Sequence, residues 1–165
     1  TKEISGNSYR IIPPDEVLTN LNNDLISEDL SESPFVTICY GIYDTASRTL
    51  EYARGGHPYP ILIRKDGTSQ NLDAEGALLG IVEETFESDT VKLEMGDKLI
   101  LFSDGVDGAR WKDGSTGQEA FTKACIEYYD MPIEEVLNRV SKVVFGPDGE
   151  TAIEDDVTII GMATE

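Results

Sequence analysis

Lys98-Leu99-Ile100-Leu101-Phe102-Ser103-Asp104-Gly105 and Glu154-Asp155-Asp156-Val157-Thr158-Ile159-Ile160-Gly161 decide how this chain is read. Each is an apolar, β-prone run with acidic residues at one end. Asp104 closes the first, and Asp155 with Asp156 opens the second. If the two runs pair as antiparallel strands, the end of one meets the start of the other. Carboxylates about fifty positions apart in the sequence then converge. Carboxylates held together repel one another unless a positive charge lies between them. Their hard oxygens suit Mg²⁺ or Mn²⁺. The pattern therefore predicts a divalent-metal site on a β scaffold.

The surrounding sequence predicts how that scaffold is built. Pro13-Pro14 precede a helical stripe of Val17, Leu18, Leu21, Leu25 and Ile26, which ends before Ser33-Pro34. Phe35 to Tyr43, Thr49 to Ala53 and Tyr59 to Arg64 read as strands. Asp44 to Ser47 forms the first turn between them. Lys65-Asp66-Gly67 closes the third strand with a tight hairpin signal. Gly76 to Val82 reads as a packed loop. Thr90 to Leu93 and Lys98 to Phe102 are expected to form a hairpin around Met95-Gly96-Asp97. Residues 105 to 117 read as a loop, and Thr116 with Glu119 as a capping box. Two helices follow, with Phe121, Ala124, Cys125 and Tyr128 on one stripe and Ile133, Val136, Leu137, Val140 and Val144 on the next. Phe145 to Glu154 is a loop, and Val157 to Ala163 the last strand. Meandering strands with segregated helices give an α+β class with antiparallel sheets.

Composition narrows the function. The chain has 165 residues, enough for one domain that buries roughly 70% of its unfolded surface. Its net charge of −19 comes from 13 Lys plus Arg against 32 Asp plus Glu. That balance opposes nucleic acid and anionic lipid, because both need basic patches. Most of this charge serves solubility. Cys39 and Cys125 lie in strand-like and helix-like runs and read as small apolar residues. With one histidine they make no zinc pattern, and they suit a reducing cytosol. No apolar stretch has the length of a membrane span.

Five segments together resemble a known family. They are Phe35-Val36-Thr37-Ile38-Cys39-Tyr40-Gly41, Ala53-Arg54-Gly55-Gly56-His57-Pro58, Leu78-Leu79-Gly80-Ile81, Gly96-Asp97 through Val106, and Asp155-Asp156-Val157-Thr158. In this order the chain resembles the SpoIIE-type (RsbU-like) bacterial serine phosphatases of the metal-dependent protein phosphatase family. The resemblance covers residues 14–165 and leaves 1–13 as a poorly defined leading segment. It implies an antiparallel β-sandwich flanked by helices, with two Mn²⁺ or Mg²⁺ ions at one end. Asp104 and Asp155 are then metal ligands, and Asp156 supports them from behind. The family's usual chemistry is direct, metal-assisted attack of water on a phosphoserine or phosphothreonine, with no phosphoenzyme. Its usual substrate is a phosphorylated anti-anti-sigma factor in partner-switching signalling, in the cytoplasm. A sensor or receiver domain often precedes the phosphatase.

One departure stands out. The family carries an earlier metal-bridging Asp followed by Gly-His-Gly, and no such stretch occurs here. The expectation is an N-terminally incomplete domain that lacks its first strands and catalyses poorly by itself. Its open edges would favour a dimer. The alternative reading is a phosphatase-like module that binds a partner without hydrolysis, and a weaker one is a plain acidic cation-binding domain.

Single residues also have plainer readings. Asp104 alone is an ordinary Asp-Gly turn residue, and Asp155 and Asp156 alone are a solvated acidic loop. The five joint motifs reverse that preference. His57, between Gly56 and Pro58, reads as structural. Ser103 has no histidine base and no nucleophile elbow, so it reads as a strand residue. Trp111 reads as a loop anchor, with substrate contact as the functional alternative.

Overall fold

A computed structural model describes residues 2–5, 8–28, 35–146 and 155–165. Nine strands and three α-helices are present among them: β1 (Lys2–Ser5), β2 (Ser8–Ile11), α1 (Pro14–Ser27), β3 (Ile38–Asp44), β4 (Thr49–Gly55), β5 (Ile61–Ile63), β6 (Ser69–Asn71), β7 (Ser88–Lys92), β8 (Lys98–Phe102), α2 (Gly117–Glu127), α3 (Ile133–Phe145) and β9 (Ile159–Ala163). The strands form a two-stranded β1-β2 sheet, a β3-β4-β7 sheet and a β6-β5-β8-β9 sheet. All of these ladders are antiparallel, so the α+β class holds. The chain divides into two compact units. One comprises residues up to His57 with Asp73–Leu93, and the other Pro58–Leu72 with Glu94–Glu165.

In the first unit α1 lies on the β3-β4-β7 sheet. Pro14 opens the helix, where its missing N–H costs nothing. The expected stripe is confirmed: Leu18 is buried with Ala53, Leu79 and Phe86, and Val17, Leu21 and Leu25 pack around them. The helix ends at Ser27, and its expected limit at Ser33-Pro34 lies outside the described residues. Asn22 is buried and pins the Gly76–Val82 loop. Its Nδ2 donates to the Val82 carbonyl at 2.9 Å, and its Oδ1 accepts from Gly80 N at 2.8 Å. Between β3 and β4, Asp44 Oδ1 accepts from Ala46 N and Ser47 N, as an Asp-led turn requires.

The second unit packs α2 and α3 with the four-stranded sheet. Its core holds Ile61, Ile63, Ile100, Phe102, Val106, Phe121, Cys125, Val136, Val140 and Val144. Phe102 of β8 and Phe121 of α2 stack at 4.8 Å between ring centroids. Of the stripes expected on both helices, Phe121, Ala124, Cys125, Val136, Val140 and Val144 are buried, while Tyr128, Ile133 and Leu137 are half-buried, the last two beside Gly161 of β9.

Several local expectations are corrected. The strand before Met95-Gly96-Asp97 does not pair with the strand after it. β7 adds to β4 in the first unit, while β8 sits between β5 and β9 in the second. Leu93 N donates to the Arg48 carbonyl, which keeps that end on β4, and the units divide between Leu93 and Glu94. Thr116 does stand at the N-cap of α2, but its side chain makes no capping bond. Glu119 pairs with Lys123 one turn on instead of reaching back. Residues 105–117 are not all loop, because Asp104–Gly108 forms a 3₁₀ turn. The described residues among the first dozen, silent in sequence, carry the paired strands β1 and β2. The expected loop from Phe145 to Glu154 lies largely outside the described residues.

Candidate metal centre

The site is built on the β8-β9 pair. The ladder runs from Lys98↔Ala163 to Phe102↔Ile159. Asp104 follows β8 by two residues, and Asp155-Asp156 precede β9 at the same end. Pairing continues past the ladder, with Ser103 N donating to the Thr158 carbonyl at 3.0 Å. The Ser103 hydroxyl accepts from Thr158 N at 2.9 Å and donates to the Asp156 carbonyl at 3.0 Å. Gly105 lies against the same segment, where an added Cβ would fall 2.3 Å from the Asp156 carbonyl oxygen. The two acidic motifs are therefore brought to one end of one sheet.

The carboxylates differ in how they are held. Asp104 is exposed at the first position of the 3₁₀ turn. Asp155 is exposed, and its Oδ1 accepts from Asp156 N at 2.8 Å. That bond fixes the turn and leaves the carboxylate further lone pairs for a ligand. Asp156 contributes its backbone carbonyl to Ser103, and its side chain is exposed. The donor chemistry fits a hard divalent cation, since both side chains are accessible carboxylates at one sheet end. Among the described residues no group of three or more His, Cys, Asp or Glu side chains is gathered for a metal. Asp104 and Asp155 are two accessible carboxylates at one sheet end, not a closed cage.

Sequence reading passed over Asp107, three residues after Asp104 in the same 3₁₀ turn, where positions three apart fall on one side. The signal was available as Asp104-Gly105-Val106-Asp107, but a 3₁₀ turn has no periodic signature. Asp107 Oδ1 lies beside Gly117 at the start of α2.

The loop beyond is tied by ion pairs. Lys123 Nζ meets Asp113 and Glu119, each at 2.7 Å. Hydrogen bonds from Lys123 and then Ser115 hold the Asp113 carboxyl well below its usual range, and Asp113 in turn raises Lys123. Trp111 is half-buried against the core, edge-on to Tyr128 at 6.1 Å, so it anchors the loop. An open cleft of about 400 Å³ lies in this unit, with Tyr59, Asn71, Gln118 and Thr122 over Ile61 and Phe102. His57 uses its carbonyl to accept from Arg54 Nη1 at 2.8 Å, a backbone role in keeping with its structural reading.

Known proteins share this fold. The phosphoserine phosphatase RsbU of Bacillus subtilis (strain 168) is 30% identical over 151 residues, covering 90% of this chain and 44% of RsbU. The chain thus spans under half the length of that relative. The SiaA-PP2C domain of Pseudomonas aeruginosa superposes with a TM-score of 0.75 at 22% identity, covering 93% of this chain and 61% of that one. The phosphatase domain of the Bacillus subtilis cell-fate determinant SpoIIE, presoaked with manganese, superposes at 0.61 and 16% identity, covering all of this chain and 86% of that one. The fold is that of PP2C-type phosphatase domains. The family model for Stage II sporulation protein E matches residues 3–165, both aspartate motifs included, and the chain belongs to the SpoIIE family.

Proposed function

We propose that this chain is the phosphatase domain of a metal-dependent protein serine/threonine phosphatase. The observation that supports the reading is that Ser103 and Gly105, on either side of Asp104, both lie against the Asp155-Asp156 turn at one end of β8-β9, in a chain of this family. Asp104 and Asp155 hold Mn²⁺ or Mg²⁺, and Asp156 supports their turn. When bound, a divalent pair supplies Lewis acidity toward the phosphoryl oxygens and an activated water. The chain's own contribution is placement. The 3₁₀ turn presents Asp104, the Asp156 N–H orients Asp155, and the β8-β9 ladder fixes their separation. In a chain of net charge −19, a phosphate approaches only where cations offset the field.

The name of the relative RsbU supports phosphoserine as the substrate group, and the manganese-soaked SpoIIE structure supports the choice of metal. The substrate is a phosphorylated anti-anti-sigma factor, met in the cytoplasm. A sensor or receiver domain in the longer protein controls access. The test is phosphate release from a phosphoserine-bearing protein by the full-length protein. Activity should vanish with EDTA, return with Mn²⁺, and fall about 100-fold in Asp155→Asn. Turnover that survives both chelation and Asp155→Asn would sink the assignment.

A further inference from the structure

We infer that Ser103 and Gly105 form a latch that sets the position of Asp155 relative to Asp104 and thereby the affinity of the metal site. The inference rests on the reading of Asp104 and Asp155 as ligands. The β8-β9 ladder ends at Phe102↔Ile159, three residues short of Asp156. A loop leaving a ladder opens readily, because each further residue is ordered only by its own contacts. Ser103 prevents this with three bonds to the opposite segment. Its N–H reaches the Thr158 carbonyl, its hydroxyl accepts from Thr158 N, and the same hydroxyl donates to the Asp156 carbonyl. One hydrogen and one lone pair of a single Oγ are thus spent on residues two apart. The last bond lands on the Asp156–Val157 peptide, next to the Asp156 N–H that holds the Asp155 carboxylate.

Gly105 acts from the other side of Asp104. Its Cα faces the same Asp156 peptide, with an added Cβ 2.3 Å from the carbonyl oxygen, 2.8 Å from the carbonyl carbon and 3.0 Å from Val157 Cγ2. Backbone cannot yield as a flexible side chain can, so any side chain here pushes the 155–157 segment away. Ser103 draws that segment in and Gly105 makes room for it. Ser-Asp-Gly then has a division of labour: the flanking residues place the opposing turn while Asp104 faces the ligand. Ser103 is a positioning residue, not a nucleophile.

The test is Mn²⁺ binding to the full-length protein, read from the electron paramagnetic resonance of free Mn²⁺ during titration with MnCl₂. Asp104→Asn serves as the control for the site. Ser103→Ala should weaken Mn²⁺ binding about 10–100-fold, the range for losing a group that orients a ligand. Ser103→Thr keeps the hydroxyl and should restore most of it. Gly105→Ala should weaken binding similarly while removing no hydrogen-bonding side chain. A purely structural role would lower the melting temperature and leave Mn²⁺ affinity unchanged. If Asp104→Asn loses Mn²⁺ while Ser103→Ala and Gly105→Ala bind as wild type does, the latch is overturned and the ligand reading stands. If Asp104→Asn itself binds as wild type does, the ligand reading falls and the latch with it.

Discussion

At one end of β8 Asp97 is buried, and its carboxylate is fully engaged. Oδ2 accepts from Arg64 Nη1 at 2.7 Å and from Glu94 N at 2.8 Å, and Oδ1 accepts from Lys65 N at 3.2 Å. Its backbone carbonyl accepts from Thr164 N, and Gly96 N reaches the Thr164 carbonyl. At the other end of the strand, just past Phe102 and Ser103, Asp104 is exposed. Among the described residues no side-chain hydrogen bond or ion pair holds its carboxylate. Both aspartates sit in Gly-Asp or Asp-Gly turns on the same strand. One spends its lone pairs tying three chain segments together, and the other keeps them. A carboxylate that ligates a cation must remain available, while one that fastens a fold must be saturated.

The contrast breaks first at Asp104. Asp104→Asn is nearly isosteric and removes one charge. Phosphatase activity of the full-length protein with Mn²⁺ should drop about 100-fold, equivalent to about 2.7 kcal/mol in the barrier. Stability should stay within about 0.5 kcal/mol, because nothing in the fold depends on this carboxylate. Urea unfolding beside a phosphate-release assay measures both. A large stability loss with little kinetic effect would put Asp104 in the same class as Asp97.

Asp97→Ala should do the opposite. It takes the carboxylate away from the Arg64 guanidinium, which keeps Gln70, and leaves the Glu94 and Lys65 N–H groups without this acceptor. Breaking a buried pair costs about 3–5 kcal/mol, and Arg64 keeps 27% of its side chain exposed, so about 2–4 kcal/mol is expected. Residual folded protein should keep its Mn²⁺ affinity, since the damage lies at the far end of the strand. Unfolding midpoints measured beside Mn²⁺ titration check this. Loss of metal affinity with unchanged stability would collapse the distinction between the two ends.

Cysteine chemistry sharpens the comparison inside each unit. Burial pushes the Cys125 thiol far up, and burial also pushes Cys39 up to about 11. A raised thiol pKa means the neutral form dominates at neutral pH, and alkylation rises with pH until the pKa is passed. Iodoacetamide should modify Cys39 slowly at pH 8, with a rate climbing toward pH 11, while Cys125 reacts only after unfolding. Rapid labelling of Cys125 in the native protein would show that the α2 core is open.

What sequence could show is decided by range. Periodicity placed Leu18, Phe121, Val136 and Val140 in the core, because a helix stripe is local. The β8-β9 pairing was legible because each motif carries its own strand and its own acid. The β7-β8 hairpin was misread because Met95-Gly96-Asp97 has all the chemistry of a hairpin turn. The Asp97 side chain instead binds Arg64 and Lys65, 33 and 32 residues away in sequence, and no local pattern announces such a partner. The capping box failed likewise, with Glu119 taken by Lys123. The roles of Ser103 and Gly105 emerge only once Asp156 is seen against them.

The smallest effect belongs to the turn beside Asp97. Arg64 N donates to the Thr68 carbonyl, Gly67 takes a φ of 85°, and Asp66 Oδ1 accepts from Thr68 N and Thr68 Oγ1. The Thr68 hydroxyl, then its N–H, hold the Asp66 carboxyl below its ordinary value of 3.8. A depressed carboxyl favours the folded state above the unfolded pKa. That contribution fades as the pH falls through the folded one. Asp66→Asn should therefore melt slightly below wild type at pH 6, and the gap should close as the pH drops beneath 3.8. The side chain is exposed, so the gap should be far smaller than that of Asp97→Ala. Paired melting curves across this range decide it. A gap that widens in acid would mean that Asp66 is held by something other than its charge, and the turn would owe its shape to Gly67 alone.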